Sequence, residues 1–316
     1  MPLPDALKGQ LSIPAISAPM FLCSGPDLVV ETCRSGVIGS FPALNQRTTE
    51  GYRDWLKDIQ KRLDVIRQQA GNPVAPFAVN LVVHRSNPRL EADLAVTVEQ
   101  KVPIVITSLG ANDKVVEAVH AYGGLVFHDV INIRHARKAV EAGVDGIIAV
   151  CSGAGGHAST LSAFALVPEI RQIFAGTIIL GGALSTGRHI AVARMLGADL
   201  AYIGTRFLAT RECLAPEAQK EMICASQASD IMYTPAISGV DGNFLRDSIR
   251  AAGIDPDDLT KPEGYNFGTS EVKAWKTVWA AGQGVGSIVD VPGAADLCRR
   301  LGEEYRTAIA ETATWT

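Results

Sequence analysis

The segment Ser152–His157 reads Ser-Gly-Ala-Gly-Gly-His and directly follows a short apolar run typical of a buried strand. Its three glycines have no side chains, so backbone N–H groups there can approach a flat or anionic ligand closely. His157 comes next, and imidazole is the side chain whose pKa lies nearest neutrality. The pattern predicts a ligand-binding loop with His157 as a general base. A flexible turn with a solvent-facing histidine is the alternative.

Two more glycine-containing segments follow the next two apolar runs. Gly181 and Gly182 end the first run, and Gly204 and Thr205 end the second. In barrels of alternating strands and helices, a phosphate group often binds between the loops after strands seven and eight, where a helix N-terminus favours an anion. We therefore predict a phosphate site there, with close packing of glycines at the barrel rim as the alternative.

The elements that would position these loops are short runs rich in Val, Ile and Leu, each followed by a more charged segment. Continuous apolar character is typical of strands buried on both faces of a parallel sheet. The eight predicted strands are Ala15–Met20, Gly36–Phe41, Phe77–Val83, Ile104–Gly110, Leu125–Val130, Gly146–Ser152, Thr177–Ala183 and Leu200–Arg206. The seven segments between them carry apolar residues at helical spacing. This pattern predicts an α/β fold, the (β/α)8 TIM barrel, and not a doubly wound sheet.

The alternation of strands and helices stops after Arg206. We find no strand-like run from about Thr210 to Phe267, where turn-rich and polar segments predominate. Residues 209–269 are therefore predicted to form a mostly helical insertion, or lid, over the barrel mouth. Residues 1–208 and 270–316 would form the barrel itself. Its last part is predicted to contain a helix at Glu271–Ala281, a glycine-rich turn at Gly282–Gly286 and a final helix from Ala294 to about Thr312.

Composition and charge narrow the class of protein. The 316 residues carry 29 Lys and Arg against 33 Asp and Glu, so the net charge is −4 and there is no basic stripe for nucleic acid. No run of eighteen apolar residues and no signal-peptide pattern is present. The six cysteines form no CxxC pair, which indicates reduced thiols and no zinc site. We predict a cytoplasmic protein that binds a small molecule, without a metal, a membrane or nucleic acid, and homodimer formation is left open.

Several other polar residues end predicted strands and should therefore face the barrel mouth. Asn80 could hydrogen-bond a ligand ring or be a satisfied polar group at a strand end, and Thr107 ends the next strand. His128 and Asp129 are neighbours on one strand, so only one of them faces the barrel interior. Gln283 lies in the second glycine-rich turn.

Taken together, these segments resemble the nitronate monooxygenase family, formerly called 2-nitropropane dioxygenases, which are FMN-dependent TIM-barrel enzymes. The resemblance extends from Ile13 to about Ile288. The segments that carry it are ISAPM (Ile16–Met20), FAVNL (Phe77–Leu81), ITSLG (Ile106–Gly110), SGAGGHAST (Ser152–Thr160), LGGALSTG (Leu180–Gly187), GADLAYIGTRFLAT (Gly197–Thr210) and AGQGVGSI (Ala281–Ile288). It implies FMN as the cofactor. It also implies oxidation of alkyl nitronates, and of neutral nitroalkanes, by O2 to a carbonyl compound and nitrite.

The resemblance also implies roles for individual residues. Pro19 and Met20 would lie against the isoalloxazine ring, Asn80 would hydrogen-bond its edge, and His128 would lie near its pyrimidine part. The cofactor-binding set further comprises Thr107, Gly155, Gly156, Gly181, Gly182, Gly204, Thr205 and Gln283, with the glycines and Thr205 around the ribityl chain and phosphate and Gln283 closing the site. His157 matches the family's catalytic histidine, which removes the α-proton of a neutral nitroalkane. Because the resemblance implies that His128 lies near the flavin, it favours His128 over Asp129 as the inward-facing residue.

The sequence departs from the family pattern in two places. Ala154 occupies a position that is acidic in many close relatives, and the strand end with His84 and Arg85 is more polar than a small nitronate requires. Flavin barrels with a similar frame include NAD(P)H:quinone reductases and an enoyl-thioester reductase. Reduction of a quinone or an enoyl thioester by NAD(P)H is therefore the alternative function. A barrel that binds a phosphorylated ligand without redox chemistry is a third hypothesis.

Overall fold

A parallel eight-stranded sheet, almost closed into a barrel, forms the centre of the computed structural model, which describes residues 3–69, 71, 73–259 and 278–313. Its strands are β1 (Ala15–Ser17), β2 (Ser40–Pro42), β3 (Ala78–Val82), β4 (Ile104–Ser108), β5 (Leu125–Val130), β6 (Gly146–Val150), β8 (Thr177–Gly181) and β9 (Leu200–Ile203). Their order around the sheet is β1-β9-β8-β6-β5-β4-β3-β2. A parallel bridge between Ile16 and Ile38 joins the two ends of this order. The predicted TIM barrel is confirmed.

Helices follow the barrel strands and cover the outside of the sheet. They are α1 (Pro26–Arg34), α2 (Thr49–Gln69), α3 (Leu90–Glu99), α4 (Asp113–His120), α5 (Ile133–Glu141), α6 (Ala163–Ile173), α7 (Gly187–Met195) and the short α8 (Thr205–Leu208). Four begin at a polar residue, Asn112, Asn132, Ser162 or Thr186, whose side chain accepts a hydrogen bond from a backbone N–H of the first turn. The last helix, α11 (Ala294–Ala313), packs against α7 and α1.

The period of two along each strand divides the core into two layers. Alternate residues such as Ile106, Phe127 and Ile148 fill the barrel interior. Their neighbours, such as Val105 and Val126, pack between the sheet and the helices. A residue two positions beyond an interior residue, at the carboxyl end of its strand, consequently faces the barrel mouth.

The insertion after the eighth barrel strand contains helices, as predicted, and also two strands. The helices are α9 (Glu217–Ala225) and α10 (Arg246–Ala251), and the strands are β10 (Ile231–Thr234) and β11 (Gly242–Leu245). The expectation that no strand lies between Thr210 and Phe267 was therefore wrong. Each strand has only four residues; β11 begins with Gly-Asn, and only β10 carries a short apolar run, Ile-Met-Tyr.

β11 also pairs with a two-residue strand from the barrel, β7 (Gly156–His157), to make a three-stranded antiparallel sheet. Of the helix predicted at Glu271–Ala281, the part up to residue 277 lies outside the described residues. Its last residues are not helical, because Ala280 makes an antiparallel bridge to Phe244 and the Leu245 N–H donates to the Trp279 carbonyl oxygen at 2.9 Å. Among the described helices, none is both long and apolar enough to cross a membrane.

Candidate active site

A cavity of about 1570 Å³ opens at the carboxyl ends of the barrel strands, and the insertion supplies part of its wall. Ligand sites of TIM barrels lie at this face. Of the residues predicted to form the site, all but Thr107 and Gln283 line the cavity. They are Pro19, Met20, Asn80, His128, Gly155, Gly156, His157, Gly181, Gly182, Gly204 and Thr205.

His157 is held at the cavity wall by the insertion. It lies on β7, where it pairs with Gly242 of β11, and its Nε2 is 3.3 Å from Ser238 Oγ. The Ser238 hydroxyl donates to the Val240 carbonyl oxygen at 3.0 Å, so its lone pairs face His157. With the Ser238 proton directed at Val240, the His157 Nε2–H is the donor to Ser238 Oγ. Burial lowers the pKa of His157 below its usual value of 6.5, so the ring is neutral at neutral pH.

The glycine-rich loop around His157 is fixed by side chains of the two inserted strands. Asn243 Nδ2 donates to the Ala154 carbonyl oxygen at 2.7 Å, and the Tyr233 hydroxyl donates to the Ala158 carbonyl oxygen at 3.2 Å. Gly155 lies directly against the C-terminal turn, since a Cβ there would be 2.8 Å from the Gly282 nitrogen. Gly155 therefore permits a close approach of two backbone segments.

A hydrogen-bonded chain of polar side chains forms the floor of the cavity. Asn80 Nδ2 donates to Ser108 Oγ at 2.6 Å, and Ser108 Oγ donates to Asp129 Oδ2 at 2.5 Å. Asp129 also accepts from the Leu109 N–H, while burial raises the pKa of its carboxyl above the usual 3.8. With its donor groups directed at Ser108 and the Ile106 carbonyl oxygen, the Asn80 amide has a fixed orientation.

Asp129, and not His128, shares the inward face of β5 with Phe127, which corrects the preference for His128. His128 lies on the opposite face of the strand, where its Nδ1 is 2.8 Å from Thr107 Oγ1. Burial lowers the pKa of His128. The His128 side chain contributes to the cavity wall, and Thr107 lies behind it. Ser108 and Asp129 were missed, although counting in twos from Ile106 and Phe127 identifies both.

The loops after β8 and β9 form a cradle of backbone groups. Gly182 has a φ of +138°, and a Cβ there would be 2.8 Å from the Ser152 carbonyl oxygen. Ser185 lines the same region, and its buried Oγ has no hydrogen-bond partner among the described residues. At Gly204 the nearest atom to an added Cβ is 3.8 Å away, so the space beside it is open. Thr205 begins α8, and its Oγ1 accepts from the Gly282 N–H at 2.8 Å.

Three other residues lie outside the cavity lining. The Gln283 N–H donates to the Gly153 carbonyl oxygen at 2.9 Å, which ties the C-terminal turn to the glycine-rich loop, but its side chain is exposed. Its role in closing the site stays a prediction. His84 lies beyond the end of β3 with its Nδ1 2.7 Å from Ser86 Oγ, and Arg85 is exposed.

These groups fit a flavin nucleotide. The cradle offers an unpartnered hydroxyl and glycine backbone to an anionic group. The floor offers a fixed amide and the wall offers Pro19 and Met20 to a flat polar ring. Such a cavity at this end of a (β/α)8 barrel is typical of TIM-barrel enzymes that bind a nucleotide cofactor.

The chain belongs to the nitronate monooxygenase family, whose model matches residues 8–304. It is 27% identical to the nitronate monooxygenase of Paraburkholderia phytofirmans, over 94% of this chain and 93% of that protein. It is also 27% identical to the nitronate monooxygenase of Neurospora crassa, over 93% and 89% of the two chains. Membership in this family of flavin-dependent oxidoreductases confirms the resemblance drawn from the sequence.

Solved structures share the fold. Nitroalkane oxidase from Streptomyces ansochromogenes superposes with a TM-score of 0.82 at 23% identity, covering 98% of this chain and all of that chain. FabK from Thermotoga maritima superposes with a TM-score of 0.79 at 22% identity, covering 99% and 98%. At these identities the similarity concerns the architecture.

Proposed function

We propose that this chain oxidises alkyl nitronates, and the parent neutral nitroalkanes, with O2 to a carbonyl compound and nitrite. The proposed cofactor is FMN, and the proposed base is His157. The observation that carries the proposal is a half-buried His157, its pKa lowered by burial, on the wall of a cavity that also has a glycine cradle and a polar floor.

FMN supplies the electron-accepting chemistry when it is bound. The cradle around Gly182, Ser185 and Gly204 would hold its phosphate, because backbone N–H groups and a buried hydroxyl replace the water that a phosphate loses. Asn80 would then present its amide oxygen to the ring edge, since its amide nitrogen is already committed to Ser108 and the Ile106 carbonyl oxygen.

The imidazole of His157 would remove the α-proton of a neutral nitroalkane. The hydrogen bond from Nε2–H to Ser238 Oγ holds the ring in place during this transfer. After the transfer the imidazolium would lie beside the newly formed nitronate anion, and the two opposite charges would stabilise each other inside the cavity. A preformed nitronate needs no proton removal.

The alternative is FMN-dependent reduction of a quinone or an enoyl thioester by NAD(P)H. The cavity of about 1570 Å³ supports it, because ligand sites usually have about 300–1,000 Å³ and this one has room for a large second ligand. The two functions differ in what reduces the flavin.

The deciding experiment mixes the flavin-loaded protein anaerobically with propyl-2-nitronate or with NADH and follows bleaching of the flavin absorbance. Air is then admitted, and nitrite and O2 consumption are measured. Bleaching by the nitronate but not by NADH, with nitrite formed in air, is the expected result. Bleaching by NADH alone would assign the chain to the reductases and leave His157 without its proposed role.

A further inference from the structure

Two cysteines far apart in the sequence meet at the edge of the cavity. Cys23 follows β1 and lines the cavity, whereas Cys213 lies at the start of the insertion. The Cys213 thiol donates to the Cys23 carbonyl oxygen at 3.3 Å, and the Leu214 N–H donates to the same oxygen at 2.8 Å. The two sulfurs also hydrogen-bond each other. Both side chains are buried. The six cysteines have no CxxC spacing, so this contact arises only from the fold.

Cys213 is the more acidic of the two thiols, although burial opposes its ionisation. The Cys23 thiol and the Ala215 N–H both hydrogen-bond its sulfur, and they lower the pKa of Cys213. The buried ammonium of Lys220, only 5% exposed, acts on both sulfurs in the same direction. The hydrogen bond to Cys213 and then burial raise the pKa of Cys23. One thiolate beside one thiol is the reactive form of a dithiol.

A second buried pair provides a comparison within the same chain. Cys33 and Cys298 are close enough to influence each other, but burial dominates at both and raises the pKa of each thiol to about 12. These two thiols therefore stay protonated and unreactive at neutral pH.

We propose that Cys23 and Cys213 are a redox-active pair that forms a reversible disulfide when a peroxide enters the cavity. The Cys213 thiolate attacks one oxygen of hydrogen peroxide and breaks the O–O bond, which leaves a sulfenic acid on Cys213 and releases water after proton uptake. The Cys23 sulfur then attacks the sulfenic sulfur, and a second water leaves. Two thiols and one hydrogen peroxide thus give one disulfide and two waters.

The disulfide would join the two segments that border the cavity on this side. The Cys23 N–H donates to the Met20 carbonyl oxygen at 3.1 Å, so the cross-link acts on the loop that carries Pro19 and Met20. On the other side it acts on the start of the insertion, whose Leu214 and Pro216 also line the cavity. The oxidised form would hold the insertion against the barrel. This inference does not depend on the proposed substrate.

The test treats the whole flavin-loaded protein with a small excess of hydrogen peroxide, quenches it, and alkylates the remaining thiols in denaturant. Intact mass is expected to show four alkylated cysteines in place of six, and non-reducing peptide mapping to link the peptides of Cys23 and Cys213. Dithiothreitol should restore all six. Six thiols after peroxide, or a cross-link between other cysteines, would overturn the proposal, and so would irreversible sulfinic acid at either position.

Variants separate this pair from general oxidation. Cys213→Ser and, independently, Cys23→Ser are expected to form no disulfide, whereas the control Cys298→Ser should still lose two thiols. Loss of two thiols in all three variants contradicts the proposal. Lys220→Met keeps the volume of the side chain and removes its charge, so the rate of disulfide formation should fall several-fold. An unchanged rate would refute the activation of the pair by Lys220.

Discussion

Replacing His157 with Asn removes the base and leaves most of the site intact. An asparagine amide ends at the δ position, so it lacks the Nε2 contact with Ser238 Oγ, and it accepts no proton at any useful pH. General base catalysis contributes about 10²–10⁴-fold in rate, which corresponds to about 3–5 kcal/mol of the barrel enzyme's activation free energy. Because burial lowers the pKa of His157, the wild-type ring is a somewhat weak base, and we expect a loss in the lower half of that range, about 10²–10³-fold.

Protonation of His157 in the wild type has almost no effect on this rate difference at neutral pH. The pKa of His157 lies below 6.5, so at pH 7.5 more than ten neutral rings are present for each imidazolium. As the pH falls through the lowered pKa, the imidazolium accumulates and kcat/KM for a neutral nitroalkane should fall about tenfold per pH unit. The midpoint of that decline is expected below 6.5.

The assay compares kcat/KM for 2-nitropropane with that for propyl-2-nitronate from pH 5 to 8, in the wild type and in His157→Asn. Only the neutral substrate should show the large loss and the acid decline. Ser238→Ala is the comparison variant: it removes the hydrogen bond that holds the ring but keeps the imidazole, so its loss on 2-nitropropane should be smaller than that of His157→Asn. Equal losses on the two substrates would refute the role of His157 as a base, and a midpoint at or above 6.5 would refute the effect of burial.

Three further predictions concern binding and stability. Gly155→Ala would put a Cβ 2.8 Å from the Gly282 nitrogen, and urea unfolding should show a free energy of unfolding lowered by about 1–3 kcal/mol. Gly204→Ala, whose Cβ would have 3.8 Å of clearance, should leave the free energy of unfolding unchanged but weaken flavin binding in a titration. Asp129→Ala leaves Ser108 Oγ and the Leu109 N–H without an acceptor and should cost about 1–3 kcal/mol, and Asp129→Asn should recover most of it; equal costs would contradict the hydrogen-bond account. Burial lowers the pKa of His128, His135, His157 and His189 in the folded protein below the value of 6.5 that they have in the unfolded chain. As the pH falls through 6.5 the unfolded chain therefore binds more protons than the folded protein, and the Tm should drop between pH 7.5 and 5.5.

The barrel could be predicted from the sequence because each of its strands is buried on both faces. A run such as Ile104–Gly110 then stays apolar along its length, and the polar residues where it ends mark the barrel mouth. Glycines after these strands also indicated the site, because Gly182 and Gly155 both allow close backbone approaches that a side chain would block.

The rest depends on contacts between distant parts of the chain. The strands Ile231–Thr234 and Gly242–Leu245 exist because they pair with each other and with Gly156–His157, and no local pattern records that pairing. The same holds for Cys23 and Cys213, which are 190 positions apart. Asp129 is a different case. The alternation along its strand predicts that it faces inward with Phe127, but the family resemblance favoured His128 instead.

The short strand β7 makes His157 part of the inserted sheet as much as part of the barrel. A protein engineer who exchanged the insertion with that of a relative would therefore also reposition His157, the proposed base, because Gly242 and Asn243 set the register of β7. The inserted sheet and the position of His157 cannot be altered separately in this architecture. The unit to transplant is the insertion together with Ser152–Leu161, whose ends are joined by a hydrogen bond from the Ser152 N–H to the Leu161 carbonyl oxygen at 2.8 Å.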